Sequence, residues 1–201
     1  MDPIPVTADA ETFTCNAYLV PGETTTLVDA GAMAGVVDVI ESHTDAVDAL
    51  VLTHQHGDHV AQLDAVVDRF DPDVYAYADH DHRTHAIDAG DTVPIGDEAF
   101  EVVYTPGHAD DHVSFVSDST LFSGDVVVYN DGAFDDGSFG RTDMVGQSRD
   151  RLIESIEDLL PHLDGVEAMY AGHGDPFTGD VRAVVERALE RAERREPKYP
   201  E

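Results

Sequence analysis

A mixed α/β (α+β) fold with helices covering β-sheets is predicted by three features of this 201-residue chain. Short runs rich in Val, Tyr, Phe and Thr recur along its length. Stretches with apolar residues at helical spacing interrupt them. Strands also follow one another in pairs between the helices, which implies sheets covered by helices rather than a bundle or an all-β sandwich.

Taken in order, "TFTCNAYLV" at 12–20 and "TTTLV" at 24–28 read as strands joined by the turn "PGE". "AGVVDVIES" gives a short helix, and "DALVL" at 48–52 a third strand. Helical spacing returns in "VAQLDAVVDRF" at 60–70, before the strand "DVYAY" at 73–77. Residues 97–128 hold two or three strands, "DEAFEVVYT", "HVSFVS" and "STLFSGDVVV". A Gly/Asp-rich loop covers 125–146, long enough to expect a functional role. "GQSRDRLIESIEDLL" is a helix ended by Pro161, "VEAMYAG" a strand, and 179–196 a final charged helix. With no repeat and no low-complexity linker, the chain reads as one domain, residues 1–201.

Hydrophobic content of 42% and charged content of 26% belong to a globular protein. No apolar run is long enough to span a bilayer, the N-terminus lacks a signal-like pattern, and the single cysteine, Cys15, cannot form an internal disulfide. These features predict a cytoplasmic protein without membrane contact. The charge is unusual: 42 acidic residues face 11 basic ones, for a formal net charge of −31. The acids are spread along the chain, so self-repulsion would destabilise the folded state in dilute buffer. At molar salt the Debye length is about 3 Å and the repulsion is screened. The composition resembles that of proteins from extreme halophiles. It also excludes nucleic acid as an expected partner, because phosphate binding needs clustered Lys and Arg; a small-molecule substrate is expected instead.

"VLTHQHGDHV" at 51–60 crowds His54, His56, Asp58 and His59 into one turn after an apolar strand. His54 and His56 alternate in an extended segment and so reach the same ion, while Asp58 and His59 point to a neighbouring position. Four groups cannot close two tetrahedral sites. Further ligands have matching contexts: His108 in "YTPGHAD", Asp125 in "LFSGDVV" and His173 in "MYAGHGD" each follow a strand and a glycine that permits a sharp turn. Ligands gathered at strand ends make a rigid, open metal site.

These motifs, "THQHGDH", "PGH", "SGD" and "GHG", resemble the metallo-β-lactamase-fold hydrolases, in particular the glyoxalase II-like branch, over residues 12–178. The resemblance implies an αββα four-layer sandwich. It also implies His54, His56 and His108 on one divalent metal, Asp58, His59 and His173 on a second, and Asp125 bridging them. Zinc is the expected metal, with iron or manganese as substitutes. "LVDAG" matches another family motif and places Asp29 beside the ligands, while "FGRTDM" resembles a segment that makes Arg141 and Asp143 candidates for shaping a substrate loop, or simply for pairing with each other.

Glyoxalase II carries a helical C-terminal domain that helps bind glutathione. Only one helix follows His173 here, which argues against a glutathione thioester. Asp125 stands where one large group of true β-lactamases has a metal-binding cysteine, which argues against efficient antibiotic hydrolysis. The function implied is hydrolysis of a thioester, ester or lactam carbonyl by a metal-bound hydroxide, with Asp58 and Asp125 in catalytic roles. The alternative is a mononuclear iron persulfide dioxygenase-like oxidoreductase, which would leave Asp58, His59 and His173 without a metal duty.

His80, His82 and His85 lie in a polar stretch read as helical and exposed. His112 reads as structural or as a support behind the ligands. His43 and His162 read as surface residues, and Cys15 as an inert buried residue in a strand.

Overall fold

In the computed structural model, which describes residues 2–198, six strands cross the first sheet in sequence order. They are β1 (Ile4–Pro5), β2 (Tyr18–Val20), β3 (Thr26–Val28), β4 (Ala49–Val51), β5 (Asp73–Ala76) and β6 (His85–Ala86). The first three pair antiparallel; from β3 onward every pairing is parallel. All residues of β2, β3 and β4 are buried. Such unbroken apolar runs, without in–out alternation, suit strands covered on both faces. Helices α1 (Val36–Glu41), α2 (Gly57–Val60) and α3 (Leu63–Phe70) lie in the connections.

The second sheet has the order β14-β13-β10-β9-β8-β7. Its strands are β7 (Thr92–Ile95), β8 (Glu98–Tyr104), β9 (Val113–Val116), β10 (Thr120–Gly124), β13 (Ala168–Ala171) and β14 (Phe177–Thr178). Between β10 and β13 come a hairpin, β11 (Val127–Val128) with β12 (Ser138–Phe139), and helix α4 (Arg149–Leu159); α5 (Val181–Glu193) follows β14. Ser148 caps α4 by accepting from the Arg151 N–H, and Asp180 caps α5 by accepting from the Ala183 N–H. Leu152, Ile156 and Leu159 of α4 and Val181, Val185, Ala188 and Ala192 of α5 are buried in one apolar cluster, the stripe expected of amphipathic helices. The chain divides into two compact units, Met1–Phe100 and Glu101–Glu201, each with its own core. The mixed α/β class, two sheets flanked by helices, is the one the pattern predicts.

Several boundaries differ from the sequence reading. Residues 12–17 form no strand, because their groups bond elsewhere: the Cys15 N–H donates to the Asp58 C=O, and the Ala17 N–H to Thr7 Oγ1. The expected helix 60–70 breaks at residues 61–62. There the Gln62 N–H donates to the Gly31 C=O, while the Asp58 and His59 carbonyls accept from Cys15 and from Ala30 and Gly31. These long-range bonds take the groups a continuous helix would pair internally. The loop expected at 125–146 contains the β11–β12 hairpin. The stretch around His80 and His82 is turn rather than helix, and His85 lies in β6.

Register places the chemistry. β3 and β4 run parallel with Val28 opposite Val51, so Asp29 and the Thr53–His54 segment emerge at the same sheet edge. In the second sheet β10 and β13 run parallel with Gly124 opposite Ala171, so Asp125 and His173 leave their strands side by side.

Candidate metal centre

Within the first unit, His54, His56, Asp58 and His59 gather as the motif predicts. The α2 turn starts at Gly57, with His56 at its N-cap in an extended conformation. His54 and His59 are fully buried, and their ring centroids lie 4.0 Å apart. Asp29 organises them. It adopts φ 57°, a left-handed conformation that Asp tolerates better than most residues. Its Oδ1 accepts from the Thr53 N–H at 2.9 Å, and its Oδ2 accepts from the Thr53 hydroxyl and from His59 Nδ1, both at 2.8 Å.

These bonds fix tautomers. A carboxylate only accepts, so the hydrogen of His59 is on Nδ1 and its Nε2 presents a lone pair. The Thr53 hydroxyl spends its proton on Asp29 and therefore accepts from His54 Nδ1, 3.1 Å away. His54 Nε2 then faces His56 Nδ1 at 3.1 Å. Two ring nitrogens at 2.0–2.1 Å from a tetrahedral zinc ion would be about 3.3 Å apart. The 3.1 Å separation is that of an N–H···N hydrogen bond and is also close to the spacing of two ligands on one ion.

Within the second unit, His108, Asp125 and His173 come together. Asp125 Oδ2 lies 3.3 Å from His108 Nε2 and 3.4 Å from His173 Nε2. His108 Nδ1 donates to the backbone carbonyl of Arg141 at 2.9 Å, so in the neutral ring Nε2 carries a lone pair aimed at a carboxylate oxygen. Charge-assisted hydrogen bonds are shorter, about 2.7–2.9 Å. The observed separations are longer than that and lie in the range of neighbouring donor atoms around one ion. One carboxylate oxygen thus lies nearly equidistant from two imidazole nitrogens. The donor set, nitrogen and carboxylate oxygen, suits zinc or iron.

The turn carrying Asp125 is held closely. The Gly140 N–H donates to the Val126 C=O, and a Cβ on Gly140 would sit 1.8 Å from the Asp125 carbonyl oxygen. Left-handed φ values occur at Gly107 and Gly124, before His108 and Asp125, whereas at the third site the left-handed glycine is Gly174, after His173. Arg141 and Asp143 pair with each other, Nη2 donating to Oδ2 at 3.1 Å, and this guanidinium holds the Asp143 carboxyl below its usual range. The Arg141 carbonyl, for its part, accepts from His108 Nδ1. Sequence reasoning missed the parts played by Thr53 and Gly140. The only signal of Thr53 is its position, two residues past β4 and directly before His54.

A family model described as the Metallo-beta-lactamase superfamily matches residues 10–199. A hydroxyacylglutathione hydrolase of Francisella philomiragia is 34% identical over 164 residues, 78% of this chain and 61% of that protein. One from Aliivibrio fischeri is 35% identical over 105 residues, 50% of this chain and 41% of its own length. The chain thus spans about half the length of the curated relatives it matches. Among solved structures, BLEG-1 B3 metallo-beta-lactamase is 26% identical with a TM-score of 0.68, covering 94% of this chain and 96% of that one. ETHE1 from Myxococcus xanthus is 24% identical with a TM-score of 0.70 (92% and 87%), and TTHA1623, in a di-iron-bound form, 23% with 0.70 (94% and 98%). The last two likenesses speak to the fold alone.

Proposed function

The chain belongs to the metallo-beta-lactamase superfamily, and on that premise we propose that it is a hydrolase of carbonyl substrates working with two divalent metal ions. The observation that carries the reading is Asp125 Oδ2, placed 3.3 and 3.4 Å from the Nε2 atoms of His108 and His173. His54, His56 and His108 would hold one ion, Asp58, His59 and His173 the other, and Asp125 both. Two such ions, when bound, would supply Lewis-acid polarisation of a carbonyl oxygen and would lower the pKa of a bound water. Zinc fits the donors best, with iron or manganese as substitutes.

The residues do the rest. Asp29 and the Arg141 carbonyl keep His59 and His108 protonated on Nδ1, so that each Nε2 serves as a ligand. Thr53 does the same for His54. Water's oxygen bonds to the acyl carbon, the bond from that carbon to sulfur, oxygen or nitrogen breaks, and the water proton passes by way of an Asp58 carboxylate oxygen to the leaving group. Neither a serine nor a cysteine nucleophile is required; Cys15 is fully buried. The hydroxyacylglutathione hydrolase relatives favour a thioester as the first substrate class to test.

The experiment is turnover of a thioester, ester and β-lactam panel by zinc-loaded protein, with oxygen uptake recorded in parallel. Hydrolysis abolished by chelator and restored by zinc supports the reading. Hydrolysis that survives chelation, or a trapped acyl-enzyme, contradicts it. Oxygen consumption with a persulfide and one bound iron would establish the dioxygenase alternative instead.

A further inference from the structure

A closed chain of buried hydrogen bonds leaves the Asp125 turn and returns to it. The Asp125 backbone N–H donates to His112 Nε2 at 2.8 Å. A backbone N–H can only donate, so this nitrogen is the acceptor and the hydrogen of the neutral ring is on Nδ1. His112 Nδ1 lies 2.8 Å from Thr105 Oγ1 and donates to it. The Thr105 hydroxyl is 3.0 Å from Ser114 Oγ and passes its own proton there. The Ser114 hydroxyl then donates to the Ser123 C=O at 3.3 Å, two residues before Asp125. Every donor direction follows from the first.

We infer that His112 is a positioning residue for the metal centre: as a neutral, Nδ1-protonated imidazole it holds the Asp125 backbone so that Oδ2 stays between His108 and His173. The inference rests on the reading of Asp125 as the shared ligand. Thr105, His112, Ser114 and Ser123 are all fully buried, in a sheet otherwise packed with Val, Leu and Phe. Buried polar groups contribute little net stability over apolar residues of similar shape and are costly when a partner is lost. A network that begins and ends on one turn is accounted for by that turn's need for exact placement. Antiparallel pairing of β9 with β10 brings the segment before Val113 alongside the end of β10, so the imidazole spans the gap directly.

The test uses full-length protein and three variants. In the metal-free wild type, ¹⁵N NMR should detect coupling between the Asp125 amide and His112 Nε2 across the hydrogen bond, and ring shifts of the Nδ1–H tautomer. His112→Phe should weaken binding of the more loosely held zinc at least tenfold and change the visible spectrum of the cobalt-substituted protein. His112→Gln, whose Oε1 can still accept from the Asp125 N–H, should recover most of that affinity, and Thr105→Val should fall between. If His112→Phe fails to fold, the Gln and Val variants and the NMR coupling carry the test. Wild type holding two ions with His112→Phe unchanged, or with Gln no better than Phe, overturns the positioning role alone. Wild type that never holds two ions overturns the dinuclear reading and this role with it.

Discussion

Asp29 accepts three hydrogen bonds from a left-handed backbone position, so two substitutions separate its duties. Asp29→Ala loses the partner of His59 and should weaken metal retention about 10–100-fold, measured by competition with a chromophoric chelator. Asp29→Asn keeps one acceptor oxygen for the Thr53 hydroxyl and His59 and the tolerance for positive φ, but sets its NH2 against the Thr53 N–H, so it should fall between wild type and the Ala variant. Equal affinity in wild type and the Ala variant would confine Asp29 to the strand-end turn. Gly140→Ala tests the other half: its Cβ meets the Asp125 carbonyl at 1.8 Å, so the variant should lose about 1–3 kcal/mol by urea unfolding and release metal more readily. The clustering of His54, His56, Asp58 and His59, and of His108, Asp125 and His173, was legible in the sequence because residue chemistry and strand-end context are local. Thr53, Thr105 and Gly140 were not, because their value lies in partners brought close by folding. The sequence reads His112 as structural or supporting without naming its partners, and it offers the Arg141–Asp143 pairing that the structure shows but not the contact of the Arg141 carbonyl with His108.

Among the elements, the β11–β12 hairpin and the segment after α5 are tied by a buried pair. Lys198, the chain's only lysine, places Nζ 2.7 Å from Asp131 Oδ2, with both side chains under a tenth exposed. Burial by itself raises the Asp131 pKa, yet the Lys198 hydrogen bond and charge, with the Phe134 and Ala133 N–H groups, leave it lowered. A carboxyl depressed in the folded state stabilises it above the unfolded pKa of about 3.9 and loses that contribution as pH falls through the folded value. Lys198→Met removes the cation and leaves the carboxylate to its Ala133, Phe134 and Ser138 donors, a loss of one charge-assisted hydrogen bond worth about 1.5–3 kcal/mol. Urea midpoints should fall accordingly at neutral pH, and the loss of stability on acidification should be shallower in the variant than in wild type. Unchanged midpoints would mean the pair is only incidental. Strand β12 of this hairpin has no counterpart in the sequence reading, as β1, β6 and β14 have none, because two-residue strands carry no periodicity; β11 falls inside the expected strand "STLFSGDVVV". The long helices α4 and α5 were legible because three or more turns display their apolar stripe.

For the whole molecule, a net charge of −31 with eleven basic residues makes salt the main external control. The halophilic reading expects the melting temperature to rise steeply from dilute buffer to molar KCl, as screening removes self-repulsion; a flat profile would remove it. The one-domain reading expects a single calorimetric transition throughout, and two resolved transitions would contradict it. The central claim, that this chain organises two ions around Asp125, is tested most directly by metal analysis. Protein stripped with chelator, saturated with zinc in high salt and desalted should hold about two ions per chain, and Asp125→Ala markedly fewer. A folded wild-type preparation that never exceeds one ion per chain would contradict the account.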